Sequence, residues 1–502
     1  MHGYRYLVRL PDEAKLHSLC LPVKSKSKES LWLEGHAPDY LQKIERMDGV
    51  ITMEKVWSCK GTLLSGSGVR EGRLKDLCLS FSLFKFICMR FTGHSLPQEA
   101  HNELWHLIQQ MLGEDKGPER VFRVIEVELA FLFDLLYTKY PVNLNLCGSL
   151  RRLLLLTTVV AAPVISDYFG KTEPCDLVVM YICKYVQNEW WKKKRCAGKL
   201  IEIMCRVWLL KPWGRQLRQY SLLEAYGYSP WKCIYNRFTA PYLDPKGDGQ
   251  KQLAPTNLPK QVIEAIARSI GRHGTSNLEN GQASIGRDGT SNLEKGIASL
   301  KLNDVFVQLS WACNHETAAH VIMVWHIATT FCEHEKPLSG HQLSPEQRDN
   351  FGIATKLSKY LAYLVAFAPR LLPGHPCRTE YIFSRAVSEA RELLEGSSVS
   401  MGDRIQKLKS VPDDKQTIVG QGARLGRQLV NKVANEERIW KVLADFWAEM
   451  MLYVAPSNNT PAHAKYLTTG GEFVTHVWVL VTHVGFRRVP HSSEQHGDPE
   501  SN

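Results

Sequence analysis

The first pattern that could support chemistry is the hexapeptide His-Glu-Thr-Ala-Ala-His at residues 315–320. It resembles the His-Glu-x-x-His helix of zinc proteases, but one additional residue separates its histidines. Two helical histidines bind one metal ion when they are four residues apart, whereas a spacing of five turns their side chains about 140° apart. We therefore expect no metal site here, and we predict that Glu316 and His320 share a helix face.

A second candidate is the glycine-rich stretch GQGARLG at 420–426, which follows the residues Thr-Ile-Val at 417–419. In a dinucleotide site such a loop joins a parallel strand to a helix, and a second strand ends in an acid about 20 residues later. Here only three residues precede the loop as a strand, and a long amphipathic stretch follows it. We interpret the glycines as a flexible lead-in to a helix, not as a nucleotide site.

A third candidate is the pair His476 and His483, whose spacing of seven residues places them on one helix face, two turns apart. That is too far for one metal ion unless a third ligand lies between them, so we interpret both as histidines of the core or its rim. The sequence has no Gly-x-Ser-x-Gly elbow, no Walker loop and no Cys/His zinc spacing. It therefore predicts no catalytic residue, no cofactor and no metal.

The strongest binding feature is a basic tryptophan strip formed by Trp190, Trp191, Lys192, Lys193, Lys194 and Arg195. Tryptophan and lysine together stack on nucleic-acid bases or sit at the headgroup level of a membrane. The strip is short and occurs once, which fits a membrane edge better than a nucleic-acid groove. We therefore predict contact with an anionic membrane surface and expect no nucleic acid as a partner.

Two apolar segments lie before this strip, at 153–166 and 177–186. Each is shorter than the roughly 18 apolar residues that a membrane-spanning helix needs. Because basic residues flank them, they could form a shallow hairpin at an anionic membrane face. The alternative, which their lengths favour, is a pair of core helices with solvated basic ends.

Composition indicates an ordinary globular protein of 502 residues with a net charge of +11, a mild excess that argues for solubility. Its 13 cysteines include no Cys-x-x-Cys pair and lie singly in apolar stretches, which is typical of a reducing compartment. The first 21 residues mix charged and apolar side chains, unlike a signal peptide. We expect an intracellular protein, either cytoplasmic or attached to a membrane.

Hydrophobic periodicity near 3.6 recurs along the chain and predicts a mostly α fold, with a bundle-like core in two helical parts joined by a flexible linker. One example is the stripe Ile439, Leu443, Phe446 and Met450. The predicted boundaries are an irregular N-terminal segment (1–50), an N-terminal helical region (51–240), the linker (241–303), a second helical region (304–416), a C-terminal helical domain (417–486) and a disordered tail (487–502).

The predicted linker contains a tandem repeat, in which residues 269–283 and 284–298 match at 12 of 15 positions. Its glycine, serine, asparagine and charged residues bury too little surface to offset the entropy of ordering. Two copies are also too few for a solenoid. We interpret the repeat as a duplication within flexible chain.

The C-terminal part resembles a plant domain of unknown function, number 594. The shared stretches are GARL (422–425), Trp440, WAEMM (447–451), YVAP (453–456), AHA (462–464) and GGEFVTHVW (470–478). The preceding part resembles its usual companion, domain of unknown function 4220, in RLKDLCLSF (73–81), FRVIEVEL (122–129), YTKYP (137–141) and VWHIAT (324–329). The resemblance covers roughly residues 50–486.

This resemblance implies a plant protein whose family has no established function and no established catalytic residues to assign here. Proteins of this kind are typically multi-pass membrane proteins, whereas here the first 50 residues contain no apolar span and the middle pair is short. The leading hypothesis is a non-enzymatic interaction or scaffold protein with unknown protein partners, at the cytoplasmic face of a membrane. The alternative is an enzyme whose site is assembled from separate helices, for example from Glu316, His320, His326, His476 and His483.

Overall fold

The structure is a computed structural model. It describes residues 7–9, 51–59, 69–91, 98–137, 213–225, 227–228, 249–279, 292–337, 344–395, 400–433 and 435–488, and the single positions 179, 182 and 186. Within these residues there are 15 α-helices, and the strands pair only two by two. The prediction of a mostly α fold is confirmed.

The chain divides into two compact units. Unit 1 comprises Met1–Gly214 together with two short C-terminal stretches, His463–Gly471 and His483–Gly485. Unit 2 comprises Arg215–Ala462, Glu472–Thr482 and Phe486–Asn502. The C-terminal sequence therefore supplies residues to both units.

In the described part of its N-terminal stretch, unit 1 contains the helices α1 (Met53–Trp57), α2 (Val69–Phe91), α3 (Gln98–Leu112) and α4 (Gly117–Tyr137). A short antiparallel pair, β1 (Leu7–Arg9) and β2 (Ile51–Thr52), precedes them, so the predicted irregular segment 1–50 contains a strand. The apolar stripe of α3 is buried, as its period predicts. Helix α2 is tied to α4 by Asp76, which accepts hydrogen bonds from Arg120 and Arg123.

Unit 2 begins with an antiparallel pair, β3 (Gln216–Gln219) and β4 (Leu253–Asn257). Its parallel pair joins β5 (Asn292–Leu293) to β6 (Arg487–Arg488), which begins the predicted disordered tail; residues 489–502 lie outside the described residues. Its helices are α5 (Lys260–Glu279), α6 (Ile297–Leu302), α7 (Phe306–Leu309), α8 (Ala318–Glu335), α9 (Pro345–Phe367), α10 (Pro376–Leu394), α11 (Met401–Lys409), α12 (Ile418–Lys432) and α13 (Glu436–Val454). Helices α14 (Thr460–Leu467) and α15 (Phe473–His483) follow along the chain.

The core of unit 2 is organised around α8, which packs on α12, and α9, which packs on α13. Helix α8 is apolar almost all round and is buried from Ala318 to Cys332 apart from His320. Its Trp325 ring stacks on Phe446 of α13 with 3.7 Å between centroids, and Trp447 donates a hydrogen bond to Thr329. The stripe on α13 that the sequence predicts is buried.

Regular structure occupies much of the predicted linker at 241–303, which corrects that prediction for the described residues. Strand β4 and helices α5 and α6 all lie in it, and the first repeat copy continues α5 as far as Glu279. The physical reason is the apolar face of α5, where Val262, Ile263, Ile266 and Ile270 are buried. Residues 280–291, most of the rest of the repeat, lie outside the described residues.

Candidate functional site

The residues predicted to contact a membrane, Trp190 to Arg195, lie outside the described residues, as does the apolar segment 153–166. Of the segment 177–186 the structure describes Val179 and Ile182, which are buried, and Val186, which is half-buried. In the part of the chain that the structure describes, no helix combines the length and apolar content that crossing a membrane requires.

The histidines of the 315–320 motif are close together, but not as a helix would arrange them. Helix α8 begins only at Ala318, with Thr317 as its cap, so His315 precedes it. The rings of His315 and His320 stack with 4.1 Å between centroids and 6° between planes. The angle of about 140° expected for a continuous helix therefore does not apply. The nitrogen lone pairs of an imidazole lie in its ring plane, so the lone pairs of two stacked rings lie in parallel planes and do not converge on one shared ion.

The three polar residues of this motif, His315, Glu316 and His320, each contact a different neighbouring residue. Burial, His320 and Lys295 lower the pKa of His315 to about 4, and the Lys295 ammonium donates to the His315 carbonyl at 2.6 Å. Glu316 pairs with Arg378, which corrects the prediction that it shares a face with His320. His320 Nε2 instead lies 3.0 Å from Gln421 Oε1.

The glycine-rich stretch is inside helix α12, which corrects the prediction of a flexible lead-in. A Cβ atom on Gly422 would lie 2.6 Å from Ile327 Cβ, and one on Gly426 would lie 2.8 Å from Phe331 Cδ1. Both neighbours belong to α8, so the glycines allow the two helix backbones to approach closely. The motif serves helix packing.

The N-terminus of α12, where a phosphate would bind in a nucleotide loop, receives a carboxylate of the protein itself. Glu389 of α10 accepts a hydrogen bond from the Val419 N–H at 3.2 Å, and Thr417 Oγ1 accepts one from Gly420. Arg385 holds the other oxygen of Glu389 at 2.9 Å. The positive end of the helix is therefore capped from within.

The remaining histidines have separate structural roles. His326 is fully buried between Ser358 and the Leu222 N–H, at 2.9 and 3.2 Å, and burial lowers its pKa to about 3. His476 Nδ1 lies 3.0 Å from the Glu472 carbonyl, and burial lowers the pKa of His476 to about 4. His483, in unit 1, pairs with Glu128 at 2.9 Å. His326 and His476 in unit 2 thus serve as neutral core side chains.

A buried carboxylate in unit 2, Glu472, is the centre of a polar cluster that sequence patterns did not indicate. Arg218 donates to Glu472 Oε1 at 2.8 Å, and the hydroxyls of Tyr363 and Tyr360 donate at 3.2 and 3.1 Å. The Tyr360 hydroxyl also accepts a hydrogen bond from Val474 N at 2.9 Å. Burial raises the pKa of Glu472, and these three donors counter that effect.

A second buried carboxylate, Glu449 of α13, caps helix α6. Its two oxygens accept hydrogen bonds from the backbone N–H groups of Ala298 and Ser299. Gly296 begins this turn at φ 77°, and a Cβ there would lie 2.3 Å from Phe446. Burial raises the pKa of Glu449 to about 7, although the hydrogen bonds from the two backbone N–H groups act to lower it.

The apolar protrusion, which we define as residues 301–311 of unit 2, carries two exposed aliphatic side chains. Val307 is 88% exposed and Leu302 is 53% exposed. Buried Val305 and Leu309 anchor the short helix α7 between them, so that Val307 must point outward.

Cationic groups are held against this protrusion. Lys301 Nζ lies 5.5 Å from the Phe306 ring centroid, Arg424 Cζ lies 4.5 Å from that of Trp311, and Arg438 donates to the Asn303 carbonyl at 2.9 Å. Asp304 is an exposed acid in the same segment. Aliphatic, aromatic and cationic groups thus lie together at one exposed place.

The comparisons with known proteins identify two family regions. The family described as Domain of unknown function (DUF4220) matches residues 1–183. The family described as Protein of unknown function, DUF594, matches residues 432–486. The order of the two matches agrees with the sequence-based resemblance. Neither the curated proteins nor the solved structures contain a match to the chain.

Proposed function

We propose that this chain, in which a DUF4220 region is followed by a DUF594 region, is a non-enzymatic interaction protein that attaches to an anionic membrane surface. The observation that carries the proposal is the apolar protrusion, with Val307 and Leu302 exposed among cations. The basic tryptophan strip at 190–195 has the same chemistry in the sequence. The cytoplasmic leaflet, which is rich in anionic lipids, is the surface that fits both.

The two aliphatic side chains supply the apolar part of such an attachment. Full burial of a valine or leucine side chain is worth about 1.5–3 kcal/mol, so both together would contribute a few kcal/mol on entering the acyl boundary. Trp311 of the same segment is half-buried, and tryptophan favours the headgroup level.

The charges at the protrusion favour anionic lipid over a neutral one. A basic side chain near such a membrane gains about 1 kcal/mol. Three cations, Lys301, Arg424 and Arg438, contact the protrusion. Two acids accompany them, the exposed Asp304 and the half-buried Asp445, which accepts a hydrogen bond from Asn303. The attraction should act within a Debye length of about 8 Å at physiological salt, so attachment should weaken as salt rises.

Co-sedimentation of the full chain with vesicles tests the proposal. We expect the chain to pellet with vesicles that contain phosphatidylserine and to stay in solution with phosphatidylcholine alone. The double variant L302S/V307S should reduce the bound fraction severalfold. Replacing Lys192, Lys193, Lys194 and Arg195 together by glutamine should also weaken binding at low salt.

Tyr381→Ser provides the matched control, because Tyr381 is 63% exposed on α10 of the same unit. It removes an exposed apolar side chain outside the protrusion and should leave vesicle binding unchanged. If the wild-type chain ignores anionic vesicles at low salt, the membrane proposal is wrong. If L302S/V307S binds like wild type while the lysine variant does not, attachment depends on the strip and not on the protrusion.

A further inference from the structure

An exposed carboxylate of unit 2, Asp413, lies among the basic side chains of helix α12. This helix carries three basic residues, Arg424, Arg427 and Lys432, and no acidic one. The loop before it, at 410–417, supplies Asp413, whose side chain is 70% exposed and accepts a hydrogen bond from Arg427. We call these four residues the Asp413 cluster.

The position of the Asp413 carboxylate is electrostatically favourable for an anion. The hydrogen bond from Arg427 lowers the pKa of Asp413, and the charges of Arg424 and Lys432 lower it further. The next two residues of the loop, Asp414 and Lys415, carry opposite charges that cancel. One carboxylate therefore opposes three cations, which leaves an excess of two positive charges within the cluster.

The guanidinium of Arg427 is held in position by the backbone. Its Nη1 donates to the Leu408 carbonyl at 2.8 Å, at the end of α11, while its Nη2 donates to Asp413. A guanidinium presents its N–H donors in a planar fork that matches phosphate oxygens as well as carboxylate oxygens. The place that the Asp413 carboxylate takes is therefore also suited to a phosphate group.

Trp311 connects the cluster to the apolar protrusion. Arg424 Cζ lies 4.5 Å from the Trp311 ring centroid, and Trp311 Nε1 donates to Gln428 Oε1 at 2.9 Å. Since Arg424 and Gln428 are one turn apart on α12, the indole lies along this helix. The cluster thus adjoins the segment that carries Val307, the side chain proposed to enter the acyl boundary.

The excess of positive charge indicates the class of lipid headgroup. The phosphodiester of an ordinary phospholipid carries one negative charge, whereas a phosphate monoester carries about −1.5 to −2 near pH 7. A monoester in place of the carboxylate therefore balances the three cations more closely. Phosphoinositides present such monoesters on an inositol ring at the cytoplasmic surface of the membrane.

We propose that Arg424, Arg427 and Lys432 bind the phosphate monoesters of a phosphoinositide headgroup, and that Asp413 takes their place when no lipid is bound. The proposal rests on the membrane attachment proposed above and names the lipid that this surface selects. Because Asp413 competes with the phosphate for Arg427, it weakens lipid binding. Neutralising Asp413 should therefore strengthen lipid binding.

Co-sedimentation of the full chain with two sets of phosphatidylcholine vesicles tests the choice of lipid. One set contains phosphatidylinositol bisphosphate, and the other contains enough phosphatidylserine to reach the same zeta potential. We expect wild type to bind the first set about tenfold more tightly, the effect of one additional charge-assisted hydrogen bond. The double variant R424Q/K432Q should lose this preference. The control K251Q/R370Q removes the same charge from exposed positions outside α12 and the protrusion, and it should retain the preference.

Two neighbouring aspartates separate the proposed competition from general electrostatics. Asp413→Asn and Asp414→Asn each remove one negative charge from an exposed position of the same loop, but only Asp413 pairs with Arg427. Asp413→Asn should raise the affinity for phosphatidylinositol bisphosphate vesicles severalfold, and Asp414→Asn should raise it much less. An equal gain in both variants would overturn the role of Asp413.

The outcomes distinguish this proposal from membrane attachment itself. Equal binding of wild type to the two vesicle sets would leave membrane attachment in place and overturn the phosphoinositide site. Calorimetric titration with soluble inositol trisphosphate adds a measurement without a membrane, in which R424Q/K432Q should lose the binding that wild type shows. Binding of inositol trisphosphate without binding to any vesicle would refute membrane attachment, and with it the assignment of the site to a lipid.

Discussion

Two buried carboxylates of unit 2, Glu449 and Glu472, show two ways of placing an acid in an apolar core. Glu449 accepts hydrogen bonds from two backbone N–H groups at the start of α6. Glu472 accepts hydrogen bonds from three other side chains, two phenol hydroxyls and one guanidinium. Both lie in the DUF594 match, and burial raises the pKa of each.

The two sites differ in whether the hydrogen-bond donors have another acceptor once the carboxylate is lost. The two N–H groups at Glu449 are helix-terminal donors that lack an intrahelical partner, so the carboxylate satisfies them. The donors at Glu472 reach it from side chains, and Arg218 is exposed enough to bond with water instead, at 31% of its side chain. Loss of the carboxylate should therefore harm the backbone-capping site more.

The largest expected effect is that of Glu449→Ala. At pH 5 the folded-state carboxyl is protonated, and its two oxygens still face the two buried N–H groups. The alanine variant leaves both N–H groups without an acceptor, at about 1–3 kcal/mol each, so we expect the free energy of unfolding to fall by about 4 kcal/mol at pH 5. Urea unfolding followed by tryptophan fluorescence measures it. Glu449→Gln keeps one carbonyl acceptor and should lose about half as much. Equal losses for Ala and Gln would contradict the capping role.

The second effect is the pH dependence that Glu449 imposes on stability. Burial raises its folded-state pKa to about 7, from 4.5 in the unfolded chain. The unfolded chain therefore releases this proton first, and stability that is present below pH 4.5 is lost as pH rises to about 7. The slope is about 1.4 kcal/mol per pH unit, or about 3 kcal/mol in total.

Urea midpoints between pH 4.5 and 8, compared for wild type and Glu449→Gln, isolate this contribution, because the amide does not titrate. The difference between the two proteins should shrink as pH rises. A constant difference across that range would mean that Glu449 keeps an ordinary carboxyl pKa, and that its backbone donors outweigh burial.

Much of the helical frame could be predicted because it depends on local periodicity. Helix α8 is recognisable as an all-apolar segment, and the spacing of Ile439 and Leu443 is enough to mark the buried face of α13. The sequence predicts flexible chain where helix α5 lies, because the repeat that overlaps its C-terminal half is rich in glycine and asparagine. Ile266 and Ile270 nevertheless carry a helical period through the start of that segment, and this period is visible in the sequence.

The polar clusters could not be predicted, since their members are distant in the sequence. Glu472 is 254 residues from Arg218 and 112 from Tyr360, and no local pattern links them. The exposure of the protrusion could not be predicted for a different reason. Val307 and the buried Leu309 are both aliphatic, and only the fold shows which one faces solvent. Composition cannot distinguish a core valine from an exposed one.

The smallest of these effects separates the two tyrosines at Glu472. Tyr360→Phe removes a hydrogen-bond donor to the carboxylate and leaves the Val474 N–H without its acceptor. We therefore expect the free energy of unfolding to fall by about 2 kcal/mol. Tyr363→Phe should cost about 1 kcal/mol, because Arg218 still bonds directly to the same oxygen. Urea unfolding at pH 7 measures both, and in a Glu472→Gln background the Tyr360→Phe loss should shrink toward that of the Val474 contact alone. If the two tyrosine variants lose the same amount in either background, the backbone contact of Tyr360 contributes nothing, and Glu472 is held by side chains only.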